Sequence, residues 1–315
     1  MVYSFPMKNE ERAKLLRLAS IASVITAVVL IIVKLGAWYY TNSVGIMASL
    51  IDSFMDACAS AINFFAIRYA LQPPDEEHKF GHGKAEALAS LSQAGFICGS
   101  VIFLLIQAIE KILNPTTVHN VDIGLSVMLI SVVGTAILLS IQRYVMSKTE
   151  STAIEADSLH YLSDLLTNVV IIGSLLAANY GMDKFDPLVG ILVGIYIFLS
   201  AVKIGRNSID ILMDHELVPT DREAIFELVL KNPKVLGVHD LRTRKSGQTT
   251  FVQFHLELPD EMALIQAHAV ADEVERAFRK TFPNMDVIIH QDPLSMVNKA
   301  MIVERRLPHP DDPST

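Results

Sequence analysis

Cysteine is nearly absent. The chain has two in 315 residues, Cys58 and Cys98, each inside an apolar stretch. They supply neither a disulfide framework nor a paired-cysteine metal site, and they read as reduced, small hydrophobes. Charge is also scarce: 19% of residues are charged, against about 25% in ordinary soluble domains. The balance is acidic, net −8 with a pI near 5.7, which argues against nucleic acid as a partner. Protease motifs are missing as well. His215-Glu216 opens an HExxH pattern, but position 219 is Pro, so the zinc-protease helix fails. Neither Gly-x-Gly-Asp nor a Ser/His pair takes its place, and the chain does not read as an enzyme.

What is abundant is apolar sequence, 51% of the chain with mean hydropathy +0.38, too hydrophobic for disorder over most of its length. The charge is unevenly spread, 31 of the 60 charged residues falling in the first 210 positions and 29 in the last 105. Uncharged runs at 87–109, 123–142 and 165–182, with shorter ones at 18–33 and 187–202, match the roughly 20 residues a bilayer crossing needs. A further run near 44–70 is broken by Asp52 and Asp56, yet it must cross for its neighbours to keep consistent sides. The spacing predicts six transmembrane helices: 14–40, 44–70, 84–113, 120–148, 152–180 and 183–210, after a segment at 1–13. The run at 18–33 has the look of a signal peptide, but it continues into Trp38, Tyr39 and Tyr40, an interfacial aromatic cluster of a retained helix.

Basic residues set the orientation. Lys8, Arg12, Lys14, Arg17, Arg68, Lys79, Lys84, Arg143, Lys148, Lys203 and Arg206 gather on one side; Lys34, Lys111 and Lys184 fall on the other. That places both termini in the cytosol. A tail over 211–296 reads as an α/β domain of order αββαβ. Its expected elements are a helix at Thr220–Lys231 capped by Thr220 or Asp221 with Glu223 following, strands at Val235–Lys245 and Thr249–Leu258 joined at Ser246-Gly247, a helix at Leu264–Phe282 ending before Pro283, and a strand at Asp286–His290. The order suits helices on one face of a three-stranded sheet. Residues 297–315, rich in Pro and Asp, are expected to be disordered.

Within the apolar segments sit Asp52 and Asp56, four apart in DSFMD, and His160 and Asp164, four apart in the fifth span. Each pair lies on one helix face, and two such half-sites can close one tetrahedral centre. A charge at the bilayer centre costs at least about 2.5 kcal/mol. Three carboxylates and one neutral imidazole must therefore hold a metal, take up protons, or alternate between the two. Three oxygens and one nitrogen suit Zn²⁺, with Cd²⁺, Fe²⁺ or Mn²⁺ as further candidates; Ca²⁺ and Mg²⁺ prefer oxygen-only shells. Asp157, one turn before His160, is either a fifth member of the set or an entry-vestibule charge, and the vestibule is the favoured reading. In the loop PPDEEHKFGHGKAE, Asp75, His78 and His82 have metal-ligand spacing. In the tail, the alternation of TFVQFHLEL buries Val252, Phe254, Leu256 and Leu258 and turns Gln253, His255 and Glu257 to the other face. His239, His255, His268, His290 and Asp292 make a second candidate cluster there. His119, His215 and His309 read as surface residues. Gly95/Gly99 and Gly190/Gly194 suggest that spans three and six approach closely. A passive divalent channel or a membrane-bound metal sensor would draw on the same ligands.

DSFMD, FGHGKAE, EADSLHYLSD, HDLRTR and IIHQDP together resemble the cation diffusion facilitator family, over nearly the whole chain. The resemblance implies a homodimer in the bacterial inner membrane exchanging cytosolic Zn²⁺, and also Cd²⁺ or Fe²⁺, for external protons by alternating access. It implies a transport site of Asp52, Asp56, His160 and Asp164, and a loop site of Asp75, His78 and His82. It further implies a metallochaperone-like cytosolic domain whose His239, His255, His268, His290 and Asp292 bind a metal pair at the dimer, and a charge pair between Lys84 and Asp214. No cofactor is implied beyond zinc, transported or resident.

Overall fold

The computed structural model describes residues 9–42, 44–113, 122–178 and 185–297. Two compact units divide between Leu212 and Met213.

The first unit is six long helices: α1 (Asn9–Thr41), α2 (Val44–Ala70), α3 (Lys84–Leu113), α4 (Asp122–Thr149), α5 (Thr152–Ala178) and α6 (Phe185–Leu212). Five of them, all but α5, contain stretches long and apolar enough to cross a membrane among the described residues. Their outward faces are apolar: Ile25, Ile32, Phe54, Phe65, Phe103 and Leu199 are all exposed. A water-soluble protein does not display such a surface over a whole bundle, and hydrocarbon is the solvent that suits it.

Inside, α3 and α6 form the most extensive helix pair. Their contact, shared with α5, is built on Ala94, Ile97, Val101, Ala156, Leu159, Ile197, Ala201 and Ile204. The expected α3–α6 approach is therefore present, but glycine explains little of it. A Cβ on Gly95, Gly99 or Gly190 would meet nothing within 4 Å among the described residues, whereas one on Gly194 would lie 2.8 Å from Leu105 Cδ2. Gly194 alone of the four stands where a side chain would collide, and Ala94 and Ala201 are the small residues in the rest of the contact.

Polar cross-ties hold the bundle where apolar packing alone has no preference against lipid. Asp157 of α5 is fully buried. It accepts hydrogen bonds from Ser23 of α1 (2.6 Å), Gln142 of α4 (2.7 Å) and Gln93 of α3 (3.2 Å). It is not a vestibule charge but a tie between four helices. A second tie joins helix ends: Arg12 Nη1 meets Glu86 Oε1 at 3.3 Å, Arg12 Nε donates to the Thr149 carbonyl, and Ser151 donates to Glu86 Oε2.

The second unit runs α7 (Pro219–Val229), β1 (Gly237–Ser246), β2 (Thr249–Leu258), α8 (Leu264–Thr281), β3 (Met285–Pro293) and a short 3₁₀ turn at Leu294–Met296. The sheet order is β1-β2-β3, β1 antiparallel to β2 and β2 parallel to β3. A parallel neighbour requires a crossover, and α8 supplies it. Gly247, at φ +58, opens the tight turn between Ser246 and Thr249, a backbone that glycine adopts without steric cost. Val252, Phe254, Leu256 and Leu258 of β2 enter one core with Ile225 and Val229 of α7 and Val270, Val274 and Phe278 of α8. The expected side-chain cap on α7 is replaced: Val218 is the N-cap residue, without a side-chain bond, and Pro219 opens the helix, its fixed φ and missing N–H suiting that position. Residues 114–121, with His119, and 298–315, with His309 and most of the expected disordered tail, lie outside the described residues.

Candidate metal centres

Among the described residues three clusters of ligand-type side chains assemble, each with its ligand atoms within 4.8 Å of one another: Asp56, His160 and Asp164; Asp75, His78 and His82; and His239, His255 and Asp292.

The first joins α2 to α5. His160 Nε2 lies 3.0 Å from Asp56 Oδ1 and 3.8 Å from Asp164 Oδ2. Asp56 and His160 are buried, and the imidazole edge packs on Tyr161 and Phe96. Tyr161 is itself fixed, its hydroxyl 2.7 Å from Ser60 Oγ. The α2–α5 contact that the i,i+4 pattern requires is therefore real. Asp52 is not drawn into this set: it sits one turn from Asp56, on an exposed stretch of α2. Three of the four expected ligands meet and the fourth stands beside them.

Sequence reasoning missed a cation here. Lys34, counted only among the basic residues of the side opposite the termini, is inside the helix pair and only 8% exposed. Its Nζ donates to Ser53 Oγ at 2.6 Å and to the Ser49 carbonyl at 3.1 Å. The signal available was a lone Lys inside an apolar run, LIIVKLGAW.

The loop cluster is wrapped around one carboxylate. Asp75 Oδ1 accepts from the backbone N–H of His78 (2.6 Å) and Glu77 (3.0 Å) and faces His78 Nδ1 at 3.2 Å. The His78 amide above all holds the Asp75 carboxyl below its ordinary range. Gly81 turns the chain at φ +76. His82 is packed inward against Tyr69, with its Nε2 3.2 Å from Asp75 Oδ2. That contact is too poorly aligned to be a hydrogen bond, so both ring nitrogens of the 5% exposed His82 are buried without one. A buried imidazole costs free energy in that condition; a cation held by its ring nitrogen would satisfy it.

In the tail, strand register places His239 opposite His255 and His255 opposite His290. Their rings form a row across the sheet, with centroids 4.9 and 4.6 Å apart. Asp292 uses both oxygens: Oδ2 lies 2.7 Å from His255 Nδ1 and 3.4 Å from His239 Nε2, and Oδ1 lies 3.2 Å from His290 Nε2. One carboxylate facing three imidazoles is a donor set suited to a divalent ion. Directly after His239 the β1–β2 register slips, with Asp240 at φ +50, and such a bulge re-aims neighbouring side chains. Glu257, expected to face outward with His255, is on that face but wholly buried, its Oε1 3.0 Å from His239 Nδ1. This fixes the ring and leaves Nε2 toward Asp292. His268 does not join the row in this chain: it is exposed on α8, 3.8 Å from Asp272. His215 is a surface residue, as expected. Lys84 donates to the Leu212 carbonyl at 3.2 Å and Asp214 pairs with Arg244 at 3.6 Å, so each member of the expected charge pair has a partner within its own unit.

Residues 20–213 match the cation efflux transmembrane domain and residues 217–294 the cation efflux protein cytoplasmic domain. The chain is 46% identical over 289 residues to the cation-efflux pumps FieF of Citrobacter koseri and of Salmonella choleraesuis, covering 92% of this chain and 96% of each relative. A solved structure of CzrB in its zinc form is 33% identical and covers 27% of this chain and 99% of that one, with a TM-score of 0.26. A helical membrane unit followed by a small ligand-bearing α/β unit, matched along both parts, makes this chain a member of the cation efflux family and a cation efflux transporter.

Proposed function

We propose that the chain exports a divalent metal cation, Zn²⁺ foremost and Cd²⁺ or Fe²⁺ as further cargo, in exchange for protons, by alternating access. All six helices of the first unit span the bacterial inner membrane, α5 included, with both termini and the tail in the cytosol. The observation that carries the reading is the convergence of Asp56, His160 and Asp164 inside an apolar bundle, with Asp52 one turn away on α2. Acidic groups in that setting need a cation or protons. Cargo entering from the cytosol displaces protons from His160 and the carboxylates; external protons release it once the helices have rocked outward.

The tail acts as a metal-sensing and dimerising module. Resident Zn²⁺ there would be held by His239, His255, His290 and Asp292, cross-linking three strands, with His268 as the remaining family ligand. Asp75, His78 and His82 would hold a further ion in the α2–α3 loop.

The test is flux into proteoliposomes enclosing a zinc-sensitive dye, under imposed proton gradients. Saturable Zn²⁺ movement driven by an opposing proton gradient, and lost in Asp56→Ala, is expected. Flux indifferent to the gradient rejects coupling. Flux without saturation would mean a channel, and binding without flux a sensor.

A further inference from the structure

Two basic side chains of the first unit take no part in the ties described above. Arg17 of α1 and Arg68 of α2 are both exposed, and among the described residues neither guanidinium has an ion-pair or hydrogen-bond partner. They share one cavity of about 230 Å³, lined by Arg17, Ser20, Ile21, Phe64, Ile67 and Arg68. No carboxylate lines it. Two cations on one cavity repel each other, and an anion between them reverses the sign of the interaction. Arg17 stands 24 residues before the end of α1 at Thr41, and Arg68 stands 24 residues after the start of α2 at Val44. At roughly 1.5 Å per residue both lie about 36 Å from the α1–α2 turn, just beyond a hydrocarbon core about 30 Å thick. The exposed Tyr39 and Tyr40 mark the opposite interface. Ile21 and Phe64 are each one turn deeper than the arginine of their own helix, so the cavity has a charged rim and an apolar floor. Ile67 closes its back, packed with Leu16, Ala19, Val145, Ala153 and Ile154.

We propose that this cavity binds an anionic phospholipid, its phosphate held between Arg17 and Arg68 and an acyl chain lying along Ile21 and Phe64. The guanidinium fork matches phosphate oxygens in geometry as well as charge. A zwitterionic headgroup brings an ammonium toward two cations and is disfavoured, whereas a headgroup of net charge −1 is attracted by both. A free phosphate ion would leave the apolar floor uncovered, so a lipid is the occupant that suits both halves. The bound phosphate joins α1 to α2 at the height where their like charges otherwise oppose each other. That this is the cytosolic leaflet rests on the orientation proposed above. Lipid binding measured in detergent does not depend on orientation, so the two readings can fail separately.

The experiment uses the full-length chain in a mild detergent, titrated with dioleoylphosphatidylglycerol or dioleoylphosphatidylethanolamine, with retained lipid counted by native mass spectrometry. Phosphatidylglycerol is expected to be retained at low lipid and to displace phosphatidylethanolamine. Arg17→Gln and Arg68→Gln should each weaken phosphatidylglycerol binding about fivefold, the effect of one basic residue at an anionic headgroup, and the double variant should weaken it further. Ile21→Trp fills the cavity but keeps both charges, and should also lower retention. Arg143→Gln removes an exposed cation near the end of α4, outside the cavity, and should keep the parent affinity. Size-exclusion profiles establish that each variant is folded; if the double variant is not, the single variants and Ile21→Trp carry the comparison. Equal retention of the two lipids, or binding unchanged in the arginine variants, overturns the site. An equal loss in Arg143→Gln overturns it too, since that would be general attraction to a basic face. Binding unchanged in Ile21→Trp places the lipid outside this cavity and overturns the assignment. Displacement of phosphatidylglycerol by an equal concentration of inorganic phosphate would make this a phosphate site and overturn the lipid as occupant.

Discussion

Gly237→Ala should damage the tail's metal chemistry from a position that touches no metal ligand. A Cβ at Gly237 would lie 2.6 Å from Glu257 Oε2 and 2.9 Å from its Cδ, inside van der Waals contact. The neighbour is not a loose chain end but a fully buried carboxylate that positions His239. Accommodating the methyl displaces that carboxylate, at about 1.5–3 kcal/mol for a hydrogen bond to a charged group. Overpacking adds about 1–3 kcal/mol. In a unit of this size each kcal/mol moves the melting midpoint by about 4–8 °C, so the tail should melt at least about 10 °C lower. Ligand orientation should suffer too, reducing tail metal affinity about 10–100-fold, the usual effect of disturbing a ligand's supporting partner. Glu257→Gln separates the two effects, lowering affinity similarly with a smaller loss of stability. Hydrogen exchange across β1 and β2 in the full-length protein reads the first. Zn²⁺ titration with Asp56→Ala and His82→Ala in the background reads the second. Unchanged exchange in both strands, with affinity within twofold of the parent, would refute the reasoning.

Three further outcomes follow from the geometry. Asp157→Asn keeps the shape of the four-helix tie and should retain folded protein and proton-driven Zn²⁺ flux, whereas Asp56→Asn should fold but not transport; loss of flux in both would return Asp157 to the ion path. Arg12→Ala leaves the buried Glu86 without its cation, with Ser151 as its remaining side-chain partner among the described residues, a loss of about 3–5 kcal/mol for breaking a buried pair, visible as a lower unfolding temperature of the full-length protein. In the loop, the Asp75 carboxyl titrates below its ordinary range, so its contribution to the turn is complete above the usual carboxylate pKa near 4 and fades only as pH falls through the lowered value. The His78 amide, bonded to Asp75, should therefore stay protected from exchange at pH 4; early loss of protection would contradict the turn.

Most helices of the first unit were legible from length and hydropathy, and 44–70 from the sidedness its neighbours need: the expected 44–70 and 84–113 coincide with α2 and α3. The tail's order was legible from period-2 and period-3.6 patterns, and β2 was placed to the residue. Pairing across space was less accessible. The i,i+4 spacing told which residues share a helix face but not how far along α2 the partner helix reaches, so Asp52 was expected inside a cluster that closes without it. Asp157 looked like any acidic residue near a helix start, because nothing in its own neighbourhood reveals that Ser23, Gln93 and Gln142 converge on it from three other helices. Glu257 gave a partial signal, sharing the alternation of His255, but burial on that face depends on Gly237 and His239 across the strand. His268 was grouped by residue type and by the family resemblance; in the structure it is exposed on α8, beside Asp272.

The compositions of the three clusters differ in a way that follows from their solvents. The loop and tail sets are imidazole-rich with one carboxylate each, Asp75 and Asp292. With a divalent ion bound such a set carries a net positive charge, which water at an exposed loop or sheet face screens at little cost. The membrane set reverses the ratio, with one imidazole among carboxylates. In a bundle surrounded by hydrocarbon a residual charge of either sign is expensive, so the ligands have to cancel the ion almost completely and then be neutralised in turn when the ion leaves. Carboxylates do both, because each accepts a proton. An all-histidine site in the same place would bind the metal but could not become neutral by exchanging it for protons, since protonating imidazole creates a charge. Under the proposed exchange, the acid-rich make-up of the α2–α5 centre is what a release step driven by protons requires, and the histidine-rich make-up of the other two would suit ions that stay.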